Sequence, residues 1–182
     1  MQALSLKRKV EKLLNDNGVT TTREVPLKVL VPLLEGATIE GDDKLHNLYA
    51  ALLANALDPN YSHNITRNFV SILSELEPID VAVLEYVVSH EPKGTYIRVD
   101  ADNPFKLAEC FKDLGMPEYE LRIAVRNLFR LGLLRPVFAG STVEKAVMEF
   151  RLLEIVYKDI DEFVMTELGD RFVRSIRSNQ GR

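Results

Sequence analysis

The stretch GDDKLHNLYAALLANALDPN, residues 41–60, decides the fold. Asp42 and Asp43 suit a helix N-terminus, where a short carboxylate accepts from the unpaired N–H groups of the first turn. Leu45, Leu48, Tyr49, Leu52, Leu53 and Ala56 then recur at i, i+3, i+4, i+7, i+8 and i+11, which is one apolar helical stripe. Ala50, Ala51 and Ala54 lie beside it and let a second helix approach closely. Asp58-Pro59 ends the element, because the residue before proline is pushed out of the α region. The stretch is therefore a scaffold helix without any group that looks like chemistry.

Working upstream, Pro26 sits at the first helical position, and Leu27, Leu30, Val31 and Leu34 follow at helical spacing. Pro32 removes an N–H inside that pattern and predicts a kink or a break near Lys28 to Val31. Gly36 to Gly41 is then the exit into the scaffold helix. At the N-terminus, Leu4, Leu6, Val10, Leu13 and Leu14 form a loose stripe with Lys7, Arg8, Lys9 and Lys12 between them, ended by Asn17-Gly18. Such a basic amphipathic helix fits a weak membrane or nucleic-acid contact, or a docking helix whose lysines reach into solvent. Thr20 to Thr22 is a polar linker.

Downstream, Ile65, Phe69, Ile72, Leu73 and Leu76 describe another amphipathic helix, and Leu48, Leu52, Phe69 and Leu73 are expected to be buried together. At Pro78 the character changes. Pro78 to His90 is apolar nearly all round, which indicates a helix covered on several sides. Lys93-Gly94 is a turn, Thr95 to Val99 a short strand, and Asn103-Pro104 the cap and first position of a helix whose core face is Leu107, Cys110, Phe111 and Leu114. Gly115 caps that helix at its C-terminus. Pro117-Glu118 opens the next, with Leu121, Ala124, Val125, Leu128 and Leu131 inward and Gly132 at its end. Leu133 to Phe138 reads as a strand.

Helix, strand, helix, helix, strand is the order of a winged helix-turn-helix domain. In the expected wing, Ser141 and Glu144 form a capping box that favours an inserted helix, whereas alternation at Met148, Phe150 and Leu152 favours a strand. Leu153 to Tyr157 and Glu162 to Met165 are the wing strands. Thr166 caps a last helix with Leu168, Phe172, Val173 and Ile176 on its apolar side. The fold class predicted is mainly α with a small β wing, in two parts: a helical N-terminal part, residues 1–77, and a winged-helix-like part, residues 78–182, with an insertion in the wing.

Composition narrows the function. With 182 residues, 46% hydrophobic and 27% charged, the chain supports one or two cores without metal or disulfide help. A net charge of −4 gives no global attraction for nucleic acid, so a polyanion site would have to be a local patch. Cys110 is the only cysteine, which excludes an intramolecular disulfide and fits a reducing compartment. The N-terminus is too polar for a signal-peptide core, and no run approaches the roughly 18 apolar residues that span a bilayer. These features predict a cytoplasmic protein without membrane insertion.

Candidate chemistry is sparse. His46, His63 and His90 fall in three elements without metal-ligand spacing, which favours surface or capping roles, and Cys110 on an apolar face favours packing. There is no phosphate-cradling glycine loop, no G-x-S-x-G and no H-E-x-x-H. No catalytic residue, metal or cofactor is expected. Arg122, Arg126 and Arg130 are the charges that stand out, spaced by four on the expected third helix. They could contact phosphates or guanines in a major groove. Glu118 and Glu120 lie close by, however, and acidic residues outnumber basic ones from Pro78 onward, so a solvated ion-paired face or a protein interface competes with that reading.

Taken together, VPLKVLVPLLEGATIEGDDKLHNLYAALLANALDPN, FVSILSELEPIDVAVLEYV, NLFRLGLL and MTELGDRFV make the chain from Val25 to Ile176 resemble the abortive-infection alpha family, a bacterial and prophage-associated group. The resemblance is most specific in the first block. It implies a role in phage defence by abortive infection and transfers no catalytic residue. The expectation is a non-enzymatic protein with a host or phage protein as partner. A winged-helix nucleic-acid-binding regulator is the alternative, and a homo-oligomer is compatible with either.

Overall fold

A computed structural model describes residues 2–90, 104–137 and 161–177. The described chain is mainly helical with a small three-stranded sheet, as predicted. It divides into two compact units. The first holds Met1–Pro78 and Arg171–Arg182, and the second holds Ile79–Asp170. The expected turn and strand at residues 93–99 and the expected wing segments at 141–157 lie outside the described residues.

The first unit is built around helix α3 (Asp43–Leu57), with α1 (Gln2–Asp16), α2 (Leu27–Ile39) and α4 (Arg67–Ser74) packed against it. Asp42 starts α3 as predicted, its Oδ1 accepting from the Lys44 and Leu45 amides at 2.8 and 3.0 Å. Ten consecutive or near-consecutive positions from Leu45 to Ala56 are buried, so α3 is covered on nearly every side. Leu52, Phe69 and Leu73 are buried as expected, but Leu48 is only half-buried.

The end of α3 shows where its last carbonyls go. The Ala54 carbonyl accepts from the Asp58 amide at 2.9 Å. The next three are taken by one residue of the linker before α2: the Arg23 amide bonds Leu57 O at 2.8 Å, its Nε bonds Ala56 O at 2.8 Å, and a terminal nitrogen reaches Asn55 O at 3.3 Å. All four orphan acceptors are thereby satisfied. Asn55 does the same for the C-terminal segment of this unit. Fully buried, it donates through Nδ2 to Ser175 O at 2.8 Å and Arg177 O at 2.9 Å. Phe172 meets Phe69 edge-on at 5.9 Å between ring centres.

Helix α2 departs from the sequence expectation in two ways. It runs without a break from Leu27 to Ile39 through Pro32, so the predicted break is absent and Gly36 is helical rather than part of an exit loop. Its buried residues are Val29, Leu33 and Ala37, while Leu27, Val31 and Leu34 are exposed. Gly36 decides which face goes inward. A Cβ there would stand 2.6 Å from the Tyr49 hydroxyl oxygen and 2.7 Å from a ring carbon, so the Tyr49 ring of α3 occupies the space that the missing side chain leaves. In α1, Leu6, Val10 and Leu14 are buried, which makes it a docking helix.

In the second unit, α5 (Pro78–Ser89) is followed by β1 (Phe105–Lys106), α6 (Leu107–Leu114), α7 (Glu118–Arg130), β2 (Leu134–Pro136), β3 (Glu162–Met165) and then the start of α8 (Glu167–Ser175). The strands pair antiparallel in the order β1-β3-β2, with Phe105 opposite Phe163 and Leu134 opposite Met165. Phe105 and Phe163 stack at 5.8 Å. The sequence expectation that Pro104 is the first position of α6 is not met. Pro104 leads into β1, and the helix starts at Leu107. Phe111 is 41% exposed, so it is not part of the α6 core face, which reduces to Leu107 and Cys110. Gly115 ends α6 in the left-handed region at φ 62°, where a glycine has no Cβ to clash.

Candidate functional site

Helix α7 buries Leu121, Ala124, Val125 and Leu128, as the 3.6-residue period requires. That leaves its other face outward, with Arg122 half-buried and Arg126 and Arg130 exposed. The three arginines thus share a helix face, but not as a row of uncommitted cations. Arg122 Nε donates to Glu118 Oε1 at 2.8 Å, and a terminal nitrogen lies 3.8 Å from Asp161. Arg130 donates twice to Asn127 Oδ1, at 3.1 and 2.7 Å. Asn127 in turn donates to Asp80 Oδ2 at 2.7 Å, and Asp80 is buried in α5. Arg130 is therefore tethered through one amide to a buried carboxylate.

Two apolar residues complete this face. Tyr119 is 65% exposed and Ile123 60%, and with Arg126 and Arg130 they follow at i, i+4, i+7 and i+11. The Tyr119 hydroxyl donates to Glu120 at 2.8 Å, and that bond raises its pKa above the ordinary phenol value. The sequence contained the signal: Tyr119 and Ile123 fall outside the inward stripe of the helix. The result is an aromatic and an aliphatic side chain set among guanidinium groups, on a helix whose opposite face is fixed in the core.

Other clusters offer less. Cys110, His90 and Asp113 converge on Tyr86, whose ring is 4.1 Å from that of His90, and His90 Nε2 is 3.7 Å from Asp113. A nucleophilic thiol would have to ionise. Burial pushes Cys110 up to about 12, with Asp113 adding to it, so the thiol stays protonated and inaccessible at neutral pH. Among the described residues no group of three metal-ligating side chains exists, and no helix is long and apolar enough to cross a membrane. A cleft of about 710 Å³ in the first unit is lined by Arg23, Glu24, Pro26, Lys28, Asn64 and Arg67, but the Arg23 guanidinium is already committed to α3 carbonyls.

His46 departs from the expected surface or capping role. It is buried, and Lys9 Nζ approaches its Nδ1 at 2.9 Å. An ammonium only donates, so Nδ1 accepts and the ring proton sits on Nε2. Burial lowers its pKa below the ordinary 6.5, and Lys9 lowers it further. The unfolded chain then binds a proton that the folded chain resists, and stability falls as pH drops below about 6.5 toward the lowered value. Urea unfolding across this range should show a loss of up to about 1.4 kcal/mol per pH unit from this group. His46→Gln should remove that part; parallel profiles for both proteins would mean that another group is responsible.

A model of the family described as abortive infection alpha matches residues 2–176. No curated protein and no solved structure matches the chain.

Proposed function

The chain belongs to the abortive infection alpha family, and from that premise we propose that it is a non-enzymatic phage-defence protein that works by binding a protein partner of the host or the phage through α7. The observation that supports this is the exposure of Tyr119 and Ile123 on the helix face that carries the arginines. Aromatic residues and arginine are enriched at the centres of protein interfaces, where a few buried anchors dominate affinity. Charge pairing of Arg122 with Glu118 and Asp161 also lowers the positive potential that a polyanion would need.

The test uses cells expressing the protein and challenged with phage. Tyr119→Ala/Ile123→Ala should abolish protection while thermal stability stays near wild type, because exposed substitutions usually change it by less than about 0.5 kcal/mol. Protection that survives the double substitution would refute the reading.

A second reading rests on the element order and the β1-β3-β2 sheet, which fit a winged helix with α7 as its third helix. In that reading the arginines contact phosphates of duplex DNA. Replacing Arg122, Arg126 and Arg130 with alanine should then flatten the log–log salt dependence of DNA binding by about 2 to 3 units. Absence of DNA binding by the wild type at low salt removes this alternative.

A further inference from the structure

We propose that α2 is a self-association surface through which two copies of this chain pair antiparallel. The helix is apolar on two faces, and among the described residues only one of them is buried. Val29, Leu33 and Ala37 are buried, whereas Leu27 is 73% exposed, Val31 46% and Leu34 39%. The outward residues follow at i, i+4 and i+7, a seam two turns long that has the spacing of a coiled-coil contact. A solvated helix face ordinarily carries charge along its middle; this one carries it only along an edge.

The charges on that edge identify the occupant. Lys28 and Glu35 are both exposed and lie seven residues apart, so they fall on the same side of the seam. A second α2 laid across a two-fold axis near Val31 and Pro32 runs antiparallel. It brings Lys28 of each copy beside Glu35 of the other, and it seats Val31 against Leu34 of the other copy. In a parallel arrangement the Lys28–Glu35 edges of the two copies lie on opposite sides of the seam, so this pairing is not formed. The helix is therefore complementary to itself in one orientation only, which is the property an isologous two-fold interface requires. A lipid surface would have no use for an alternating acid and base along the edge. A seam this short buries less than the roughly 800 Å² per partner of a standard interface, so the dimer should be weak, with a Kd of about micromolar order.

Sedimentation equilibrium of the full chain over a range of concentrations tests this. The wild type should show a reversible monomer–dimer equilibrium, and Val31→Asp should abolish it while the circular dichroism melting curve is retained. Lys28→Glu and Glu35→Lys should each weaken the dimer by about tenfold, since each places like charges together twice. The double variant Lys28→Glu/Glu35→Lys should return to within about twofold of wild type. The proposal is overturned by a wild type that stays monomeric to several hundred micromolar, by a dimer insensitive to Val31→Asp, or by charge reversals whose effects add instead of cancelling. Binding of the monomer to lipid vesicles through the same residues, lost in Val31→Asp, would equally overturn it.

Discussion

Gly169→Ala should destabilise the protein by about 3 kcal/mol, a large part of the 5–15 kcal/mol by which a domain of ordinary stability is folded. Gly169 lies in the first turn of α8, where a Cβ would overlap the Leu133 carbonyl oxygen and stand 3.0 Å from the carbonyl carbon. The obstacle is backbone, and it cannot rotate away. Thr166 holds it in place: its Oγ1 donates to Gly132 O at 2.6 Å and accepts from the Gly169 amide at 2.9 Å, while its own amide donates to Leu133 O at 3.0 Å. Relieving the overlap would break at least one of these bonds. Overpacking of this kind typically costs 1–3 kcal/mol and occasionally more, and the lost bonds add about 1 kcal/mol each. Against this stands a gain of about 1 kcal/mol from alanine's helix propensity. Urea unfolding measures the difference. Gly41→Ala is the control, because a Cβ at Gly41 meets nothing within 4 Å. A loss below about 1 kcal/mol for Gly169→Ala would show that the β2–α8 junction is looser than the structure has it.

The parts of the fold that were legible in the sequence are those whose signals are local. Asp42 and Thr166 accept from amides within their own first turns, and strand β3 spans Glu162–Met165, the segment expected from the element order to be a wing strand. The failures share a different cause. Helix α2 has two apolar stripes, and periodicity cannot choose between them; the choice was made by Gly36, through the shape of Tyr49 on another helix. Arg23 and Asn55 terminate helices from more than 30 residues away in one case and about 120 in the other, so no window of sequence contains both partners. His46 looked like a surface residue because its partner, Lys9, is 37 residues upstream. At the candidate site, the arginines were visible by their spacing. Their ties to Asn127 and Asp161 were not, since those depend on how α7 lies against α5 and against the start of β3. Periodicity does not mark Tyr119 and Ile123 for a related reason: the inward stripe of α7 is complete without them.

Leu52→Ala should cost roughly 2–5 kcal/mol, in the upper half of that range. Leu52 is fully buried on α3, and α1, α2 and α4 all pack against that helix. The size of the loss depends on whether neighbours can close the cavity. Here they are poorly placed to do so. The adjoining positions Ala50, Ala51 and Ala54 have no side-chain atoms that could swing into the space, and Tyr49 is held over Gly36. Both ends of α3 are fixed as well, by Asp42 at the start and Arg23 at the finish, so the helix cannot easily shift inward. Alanine is at least as good a helix former as leucine, so the whole loss would come from packing. Leu48→Ala on the same helix should cost distinctly less, because Leu48 is only half-buried and part of its surface already meets water. Leu52→Met, which nearly conserves volume, should cost less than about 1.5 kcal/mol. A Leu52→Ala loss under about 0.5 kcal/mol, or one no greater than that of Leu48→Ala, would mean that α3 is not the element on which the first unit is assembled.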